Sequence, residues 1–203
     1  MKIRFFILFL CFSSITVFSQ DLMICKRLKN EKASDYVNRV KPAGCNVIYD
    51  ILETDEWDKK EKSVIAFYNN PSDEREGKRV FGYLYLRQND AEYYREISVG
   101  EFIGESDTPE ILDTMFRNVD SDPEKEFIVL YRYWIIHYDA TGYVYDVCIF
   151  DNPDIMSDSL ETVRKFENVF TGLECVSQEG KSTEAEYKDM KSVRRKLISM
   201  GYK

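Results

Sequence analysis

Oxygen-bearing side chains recur at alternate positions in a short stretch near the middle of the chain. The stretch leads into an apolar run, and its places one, three, five and nine are occupied by Asn118, Asp120, Asp122 and Glu126. Alternate spacing lets short carboxylate and amide side chains converge on one hard cation as the backbone curls around it, and calcium takes six to eight oxygen ligands. The pattern therefore predicts a calcium site formed by these four side chains.

The same stretch differs from an EF-hand, which needs glycine at place six and glutamate at place twelve, where this chain has Pro123 and Val129. The segment from Asn118 to Leu130 instead resembles the calcium-loop unit of FG-GAP and VCBS-type repeats, in which an aspartate-rich loop leads into an apolar strand. Pro123 stands where that unit usually has a glycine, and the chain carries the unit once. The resemblance implies a metal site at Asn118, Asp120, Asp122 and Glu126.

A second interpretation of the loop involves no metal. Asp and Asn side chains also accept hydrogen bonds from backbone amides in turns, so the acidic residues could simply form a solvated turn between two strands.

His137 is the only histidine, which excludes zinc sites built from several histidines. A serine hydrolase would need His137 as its base, with Asp139 or Asp146 to orient it. The chain has no G-x-S-x-G motif to supply the nucleophile. A histidine beside a turn is also a common structural residue, so both interpretations stay open.

The acidic stretch opens onto the longest β-type segment of the chain, Phe127 to Phe150. Apolar and aromatic residues alternate on both sides of a turn predicted at 139–142, and we expect Tyr138 to lie opposite Tyr143. Gly142 would then take the positive-φ place of the turn. Because both faces are largely apolar, the hairpin is predicted to be central in its sheet and covered on both sides.

With the two strands of this hairpin included, the sequence predicts about seven strands in a mainly antiparallel β meander, with helices at both ends of the chain. A short helix is expected within 28–41, and apolar residues at helical spacing predict another over 158–169. The last helix is predicted to start at a capping box of Thr183 and Glu186 and to end before Gly201. The fold class is therefore α+β.

Residues 1–19 have the layout of a secretory signal peptide. Lys2 and Arg4 precede a short apolar run, and small residues favour cleavage between Ser19 and Gln20. Residues 20–203 are then expected to form a single globular domain that is secreted or periplasmic. No later segment is apolar over about 18 residues, so no transmembrane span is predicted in the mature chain.

Cleavage leaves 26 basic and 36 acidic residues, a net charge of −10. This balance argues against nucleic acid and favours a cation, a small ligand or a basic protein as the partner. An even number of cysteines in an exported chain predicts two disulfide bonds, and the local pairing Cys25–Cys45 with Cys148–Cys175 is preferred among the three possible patterns. Free buried thiols are the alternative.

The sequence as a whole predicts a non-catalytic binding or interaction module, stabilised by calcium at the acidic loop. Two alternatives remain open. One is an inhibitor or immunity-type protein that blocks a basic enzyme of the cell envelope, and the other is a secreted hydrolase.

Overall fold

The computed structural model describes residues 24–57, 62–73, 75, 78–87, 93–154 and 157–202, with the backbone alone for residues 24 and 25. The predicted signal peptide lies outside these residues. The described residues form ten strands and two α-helices, which confirms the α+β class and the dominance of antiparallel sheet. In chain order these elements are β1 Ile24–Lys26, α1 Ala33–Val40, β2 Asn46–Val47, β3 Leu52–Thr54, β4 Ser63–Asn69, β5 Lys78–Arg87, β6 Tyr93–Gly104, β7 Glu110–Arg117, β8 Glu126–Ile136, β9 Ala140–Phe150, β10 Gly172–Ser177 and α2 Met190–Ser199.

The strands form two antiparallel sheets. The six-stranded sheet has the order β1-β6-β5-β4-β2, and β3 also pairs with β4. The four-stranded sheet has the order β10-β9-β8-β7, so consecutive strands are neighbours throughout it. The predicted meander is therefore confirmed, and the β8–β9 hairpin lies at the centre of its sheet.

The two sheets pack face to face through aromatic side chains. The ring of Phe67 on β4 lies 6.4 Å from that of Phe127 on β8, and Phe102 on β6 lies 5.1 Å from Tyr131. The outer face of the six-stranded sheet packs against Tyr36 and Val37 of α1. The outer face of the four-stranded sheet packs against α2, which gives four layers in all.

The β8–β9 hairpin keeps the predicted faces but has a different register. Tyr143 lies opposite Trp134, four residues from its predicted partner Tyr138. The predicted turn at 139–142 was wrong, because the chain already reverses between Ile136 and Ala140 and the His137 amide donates to the Ala140 carbonyl at 2.9 Å. A shift by an even number of residues leaves every side chain on its original face.

Gly142 has a different role from the predicted one. It lies within β9, opposite Ile135 and Cys175, and its φ is not positive. A Cβ atom there would lie 2.1 Å from the Glu174 carbonyl oxygen and 2.5 Å from the Cys175 Cα. The glycine is required because the backbone of β10 approaches closely.

The predicted helix over 158–169 was also wrong. Neighbouring strands take up the backbone hydrogen bonds of this segment: Leu160 N–H donates to Ser98 O, and Val163 N–H donates to Ile149 O, both at 2.8 Å. The segment is therefore largely extended, with one 3₁₀ turn at Arg164–Phe166. Its apolar spacing instead reflects burial against two different strands.

The C-terminal helix was predicted with the wrong start and the right end. Its N-cap is Asp189, whose carboxylate accepts from Ser192 N–H at 2.6 Å. Thr183 lies beside β10 instead, where its hydroxyl accepts from Cys175 N–H at 3.3 Å. Gly201 follows the helix with φ +98°, as predicted for the residue that ends it.

Cys45, Cys148 and Cys175 are free thiols, so the preferred disulfide pattern is not formed. Cys175 lies opposite Gly142, six residues along β9 from Cys148. That separation is roughly 20 Å at the rise of a strand, which is far beyond the reach of a disulfide. The Cys25 side chain lies outside the described residues.

Within the part of the chain that the structure describes, no helix combines the length and the apolar character needed to cross a membrane.

Candidate metal centre

The acidic loop connects the end of β7 to the start of β8, and its own side chains hold it in shape. Asp120 Oδ1 accepts from Asp122 N–H at 2.9 Å, and Asp122 Oδ1 accepts from Glu124 N–H at 3.0 Å. These are two successive turns closed by aspartate side chains. The Asn118 amide donates to the Asp122 and Glu124 carbonyl oxygens, which closes the loop from its other side.

Three carboxylates converge at this loop. Asp120, Asp122 and Asp151 each offer one oxygen, and the three oxygens lie within 4.8 Å of one another. Two ligands on opposite sides of one calcium ion, each at about 2.4 Å, lie about 4.8 Å apart. The spacing is therefore compatible with three ligands of a single ion.

Asp151 reaches the group from another part of the chain. Phe127 at the start of β8 pairs with Phe150 at the end of β9, so the residue after β9 emerges beside the loop that precedes β8. The Asp151 amide donates to Glu161 O, and its Oδ1 accepts from Asn152 N–H, both at 2.8 Å. These two hydrogen bonds hold Asp151 in place without help from the acidic loop.

The structure brings together two of the four ligands predicted from the sequence. Asp120 and Asp122 belong to the group, whereas the Asn118 amide is used within the loop and Glu126 lies outside the group. Asp151 was not predicted as a ligand. Its place beside the loop depends on the observed register, in which Phe150 pairs with Phe127, whereas the register predicted from the sequence would pair Phe150 with Tyr131.

Glu126 is a buried carboxylate next to the group, with 1% of its surface exposed. One oxygen accepts from Val119 N–H, and the other has no hydrogen-bond partner among the described residues. Burial raises the pKa of Glu126 to about 7; the Val119 N–H opposes this, and the charges of Asp120 and Asp122 add to it. Burial and the charge of Asp120 likewise raise the pKa of Asp122. A bound cation would offset this concentration of negative charge.

His137 lies far from this loop, at the other end of the hairpin. Its ring Nε2 lies 2.8 Å from Glu105 Oε2, and both side chains are exposed. Among the described residues, the His137 ring thus contacts Glu105, and not the Asp139 or Asp146 that the hydrolase hypothesis requires.

Comparison with protein-family models, with curated proteins and with solved structures yields no match. The resemblance of the acidic loop to the FG-GAP and VCBS-type unit therefore stays a prediction.

Proposed function

We propose that the mature chain is an exported, non-catalytic binding module in which a calcium ion fastens the β7–β8 loop to the end of β9. The observation that carries the proposal is that carboxylate oxygens of Asp120, Asp122 and Asp151, from two separate segments, lie within 4.8 Å of one another. Three carboxylates form a hard, anionic ligand set that suits calcium. Backbone carbonyls of the loop and water would complete its coordination.

The neighbourhood of Glu126 supports a cation at this place. Carboxylates at close range raise the free energy of one another's ionised forms, and burial of a carboxylate with one unpartnered oxygen raises it further. A divalent cation reverses both effects by attracting every one of these groups. Calcium would therefore hold the β7–β8 loop and the end of β9 together by electrostatic attraction, and we call this arrangement the calcium clasp.

Isothermal titration of residues 20–203 with calcium chloride tests this proposal. We expect one ion per chain in the wild type and a raised Tm in excess calcium, because a ligand that binds only the folded state stabilises it by about 2.7 kcal/mol at 100 times its Kd. Asp120→Asn and Asp151→Asn should each abolish most of the heat. Asp139→Asn, an exposed aspartate at the far end of the hairpin, is the matched control and should bind like the wild type.

Two results would count against the calcium clasp. One is the absence of heat at millimolar calcium together with an unchanged Tm. The other is full binding by Asp151→Asn, which would place any ion away from the junction of the two segments. Titration with magnesium chloride separates calcium from a smaller ion that demands stricter octahedral geometry.

Export is tested separately by determining the N-terminus of the protein recovered from outside the cytoplasm. Cleavage as predicted gives a chain that begins at Gln20. Recovery of intact Met1 in the cytoplasm would contradict this part of the proposal.

A further inference from the structure

One face of the four-stranded sheet is covered at one end and bare at the other. α2 packs over Leu130 and Val147, and among the described residues no further helix or strand covers this face towards the β8–β9 turn. Two rows of side chains cross β8, β9 and β10 in this bare region, and we call them the tip face: Ile136, Thr141 and Val176 in the outer row, and Trp134, Tyr143 and Glu174 in the inner row.

The outer row exposes aliphatic surface to an unusual degree. Ile136 is 67% exposed and Val176 is 60% exposed, and Tyr138 in the adjoining turn is 89% exposed. Large apolar side chains grouped on a rigid sheet are a feature of binding surfaces, whereas scattered single ones need no explanation.

The inner row is held rigidly by the residues beside it. Arg132 makes two contacts with Glu110 Oε2, at 2.8 Å and 2.7 Å, and its guanidinium lies 4.4 Å from the centre of the Tyr143 ring. Trp134 meets the same ring edge to face at 4.6 Å. Trp, Tyr and Arg held in fixed positions are the residues that dominate the energetics of protein–protein interfaces.

Acidic side chains surround the tip face. Glu105 contacts His137, Asp107 accepts from Trp134 N–H at 2.8 Å, and Glu174 lies opposite Tyr143. With the side chains on the face and at its edges counted, six are acidic and three are basic, a net charge of −3: Glu105, Asp107, Glu110, Asp139, Glu174 and Glu179 against Arg132, Lys181 and Lys188. The apolar centre therefore has a negative rim.

The geometry points to the tip face as the docking surface for a protein segment that presents an apolar centre flanked by lysine or arginine side chains. This inference rests on the proposed role as a binding module and names its partner class. Complementary charge at the rim steers such a partner and fixes its register, while the apolar rows supply the buried contact.

The same features disfavour other occupants. A second copy of this chain on a two-fold axis would bring two negative rims together. An anionic lipid surface would be repelled for the same reason. A sugar needs a free aromatic face, whereas the Tyr143 ring is already occupied by Arg132 and Trp134.

Fluorescence anisotropy with a labelled peptide tests the inference. The probe has a Leu-Trp-Leu centre with two lysines on each side, and a matched peptide carries glutamates in place of the lysines. We expect saturable binding of the lysine peptide below 1 mM, weakened at least tenfold by 0.5 M salt, and no binding of the glutamate peptide. The double variant Ile136→Ser with Val176→Ser should lose at least tenfold in affinity.

The control is Ile198→Ser with Met200→Ser, which removes two exposed apolar side chains at the end of α2 and should bind like the wild type. Absence of binding by the lysine peptide, equal binding of both peptides, or equal binding by both double variants would each overturn the inference. So would a wild-type dimer in sedimentation analysis that the Ile136 and Val176 changes dissociate. Binding should persist in EDTA, so loss of the calcium clasp and loss of the docking surface give separate results.

Discussion

The two ends of the β8–β9 hairpin are built from the same kinds of residues but differ in their exposure to solvent. At the base, Phe127 and Phe150 pair and are almost completely buried between the two sheets. At the tip, Ile136 pairs with Thr141 and stands largely in solvent. The strands are continuous from one end to the other, so the strand itself does not decide burial. Burial is decided by the layers over each face. The face of Phe127 and Phe150 stays largely buried as far as Ile135, which is 6% exposed, whereas α2 covers the opposite face, that of Ile136, only at the base.

Phe127→Ala should have the largest effect of any change that contrasts the two ends. The Phe127 ring contacts those of Trp57, Phe67 and Phe116, at centroid distances of 6.2, 6.4 and 5.0 Å. Removing a fully buried phenylalanine leaves a cavity and costs about 3–5 kcal/mol of unfolding free energy. Urea unfolding followed by circular dichroism measures it.

Ile136→Ala is the comparison at the tip, on the opposite face of β8, and should change the unfolding free energy by less than about 0.5 kcal/mol. A cost at Ile136 close to that at Phe127 would mean that the tip is covered in the free protein, which would end the contrast between the two ends.

Gly142→Ala asks what holds the tip of the hairpin in place. A methyl group there would overlap the backbone of Glu174 and Cys175 on β10, which cannot rotate away. We expect a loss of about 2–3 kcal/mol, with faster amide exchange in β10 than in β7. Gly180→Ala is the control: nothing lies within 4 Å of its Cβ position, so only its φ of +73° opposes the change, at about 1 kcal/mol. Equal costs would show that the close approach of β10 is unimportant.

Much of the fold followed from alternation and turn chemistry alone. Period-two patterns located the strands of the meander and placed the hairpin at the centre of its sheet, and Gly201 marked the end of the last helix. Each hairpin side chain was assigned to the correct face even though the predicted register was wrong, because the register error was an even number of residues. Local signals thus fixed which face each hairpin residue occupies.

The errors share one physical cause, which is long-range contact. The 158–169 segment has helical apolar spacing, yet β6 and β9 supply its hydrogen bonds and keep it extended. Asp151 joins Asp120 only because two strands end side by side, which no local pattern records. The bare tip depends on where α2 stops covering the sheet, and that boundary is a property of the packing.

Glu126→Gln tests the buried carboxylate at the base and should change how stability depends on pH. The folded protein holds the Glu126 proton more tightly than the unfolded chain does, because the pKa is about 7 in the fold against an ordinary 4.5. The resulting stabilisation is full below pH 4.5 and is lost as pH rises through about 7. In EDTA, the wild type should therefore lose on the order of 2 kcal/mol over this range, and Glu126→Gln should lose far less.

Glu124→Gln provides the control for this measurement, because Glu124 is an exposed residue of the same loop. It should keep the pH slope of the wild type. An unchanged slope in Glu126→Gln would assign the pH dependence to other groups. Excess calcium should flatten the wild-type slope if the clasp lies close to Glu126.

Asp189→Ala gives the smallest effect and tests why the base, rather than the tip, is covered. α2 forms the outer layer over the base, and its first turn is capped by the Asp189 carboxylate, which accepts from Ser192 N–H. Loss of an aspartate N-cap costs about 1 kcal/mol, and amide exchange should rise first at Ser192.

Glu186→Ala removes the partner in the capping box predicted from the sequence and should be nearly neutral, because the helix begins after that residue. A larger cost at Glu186 than at Asp189 would move the start of the helix back and extend its cover along the sheet. The boundary between the covered base and the bare tip would then lie elsewhere, and with it the edge of the docking surface.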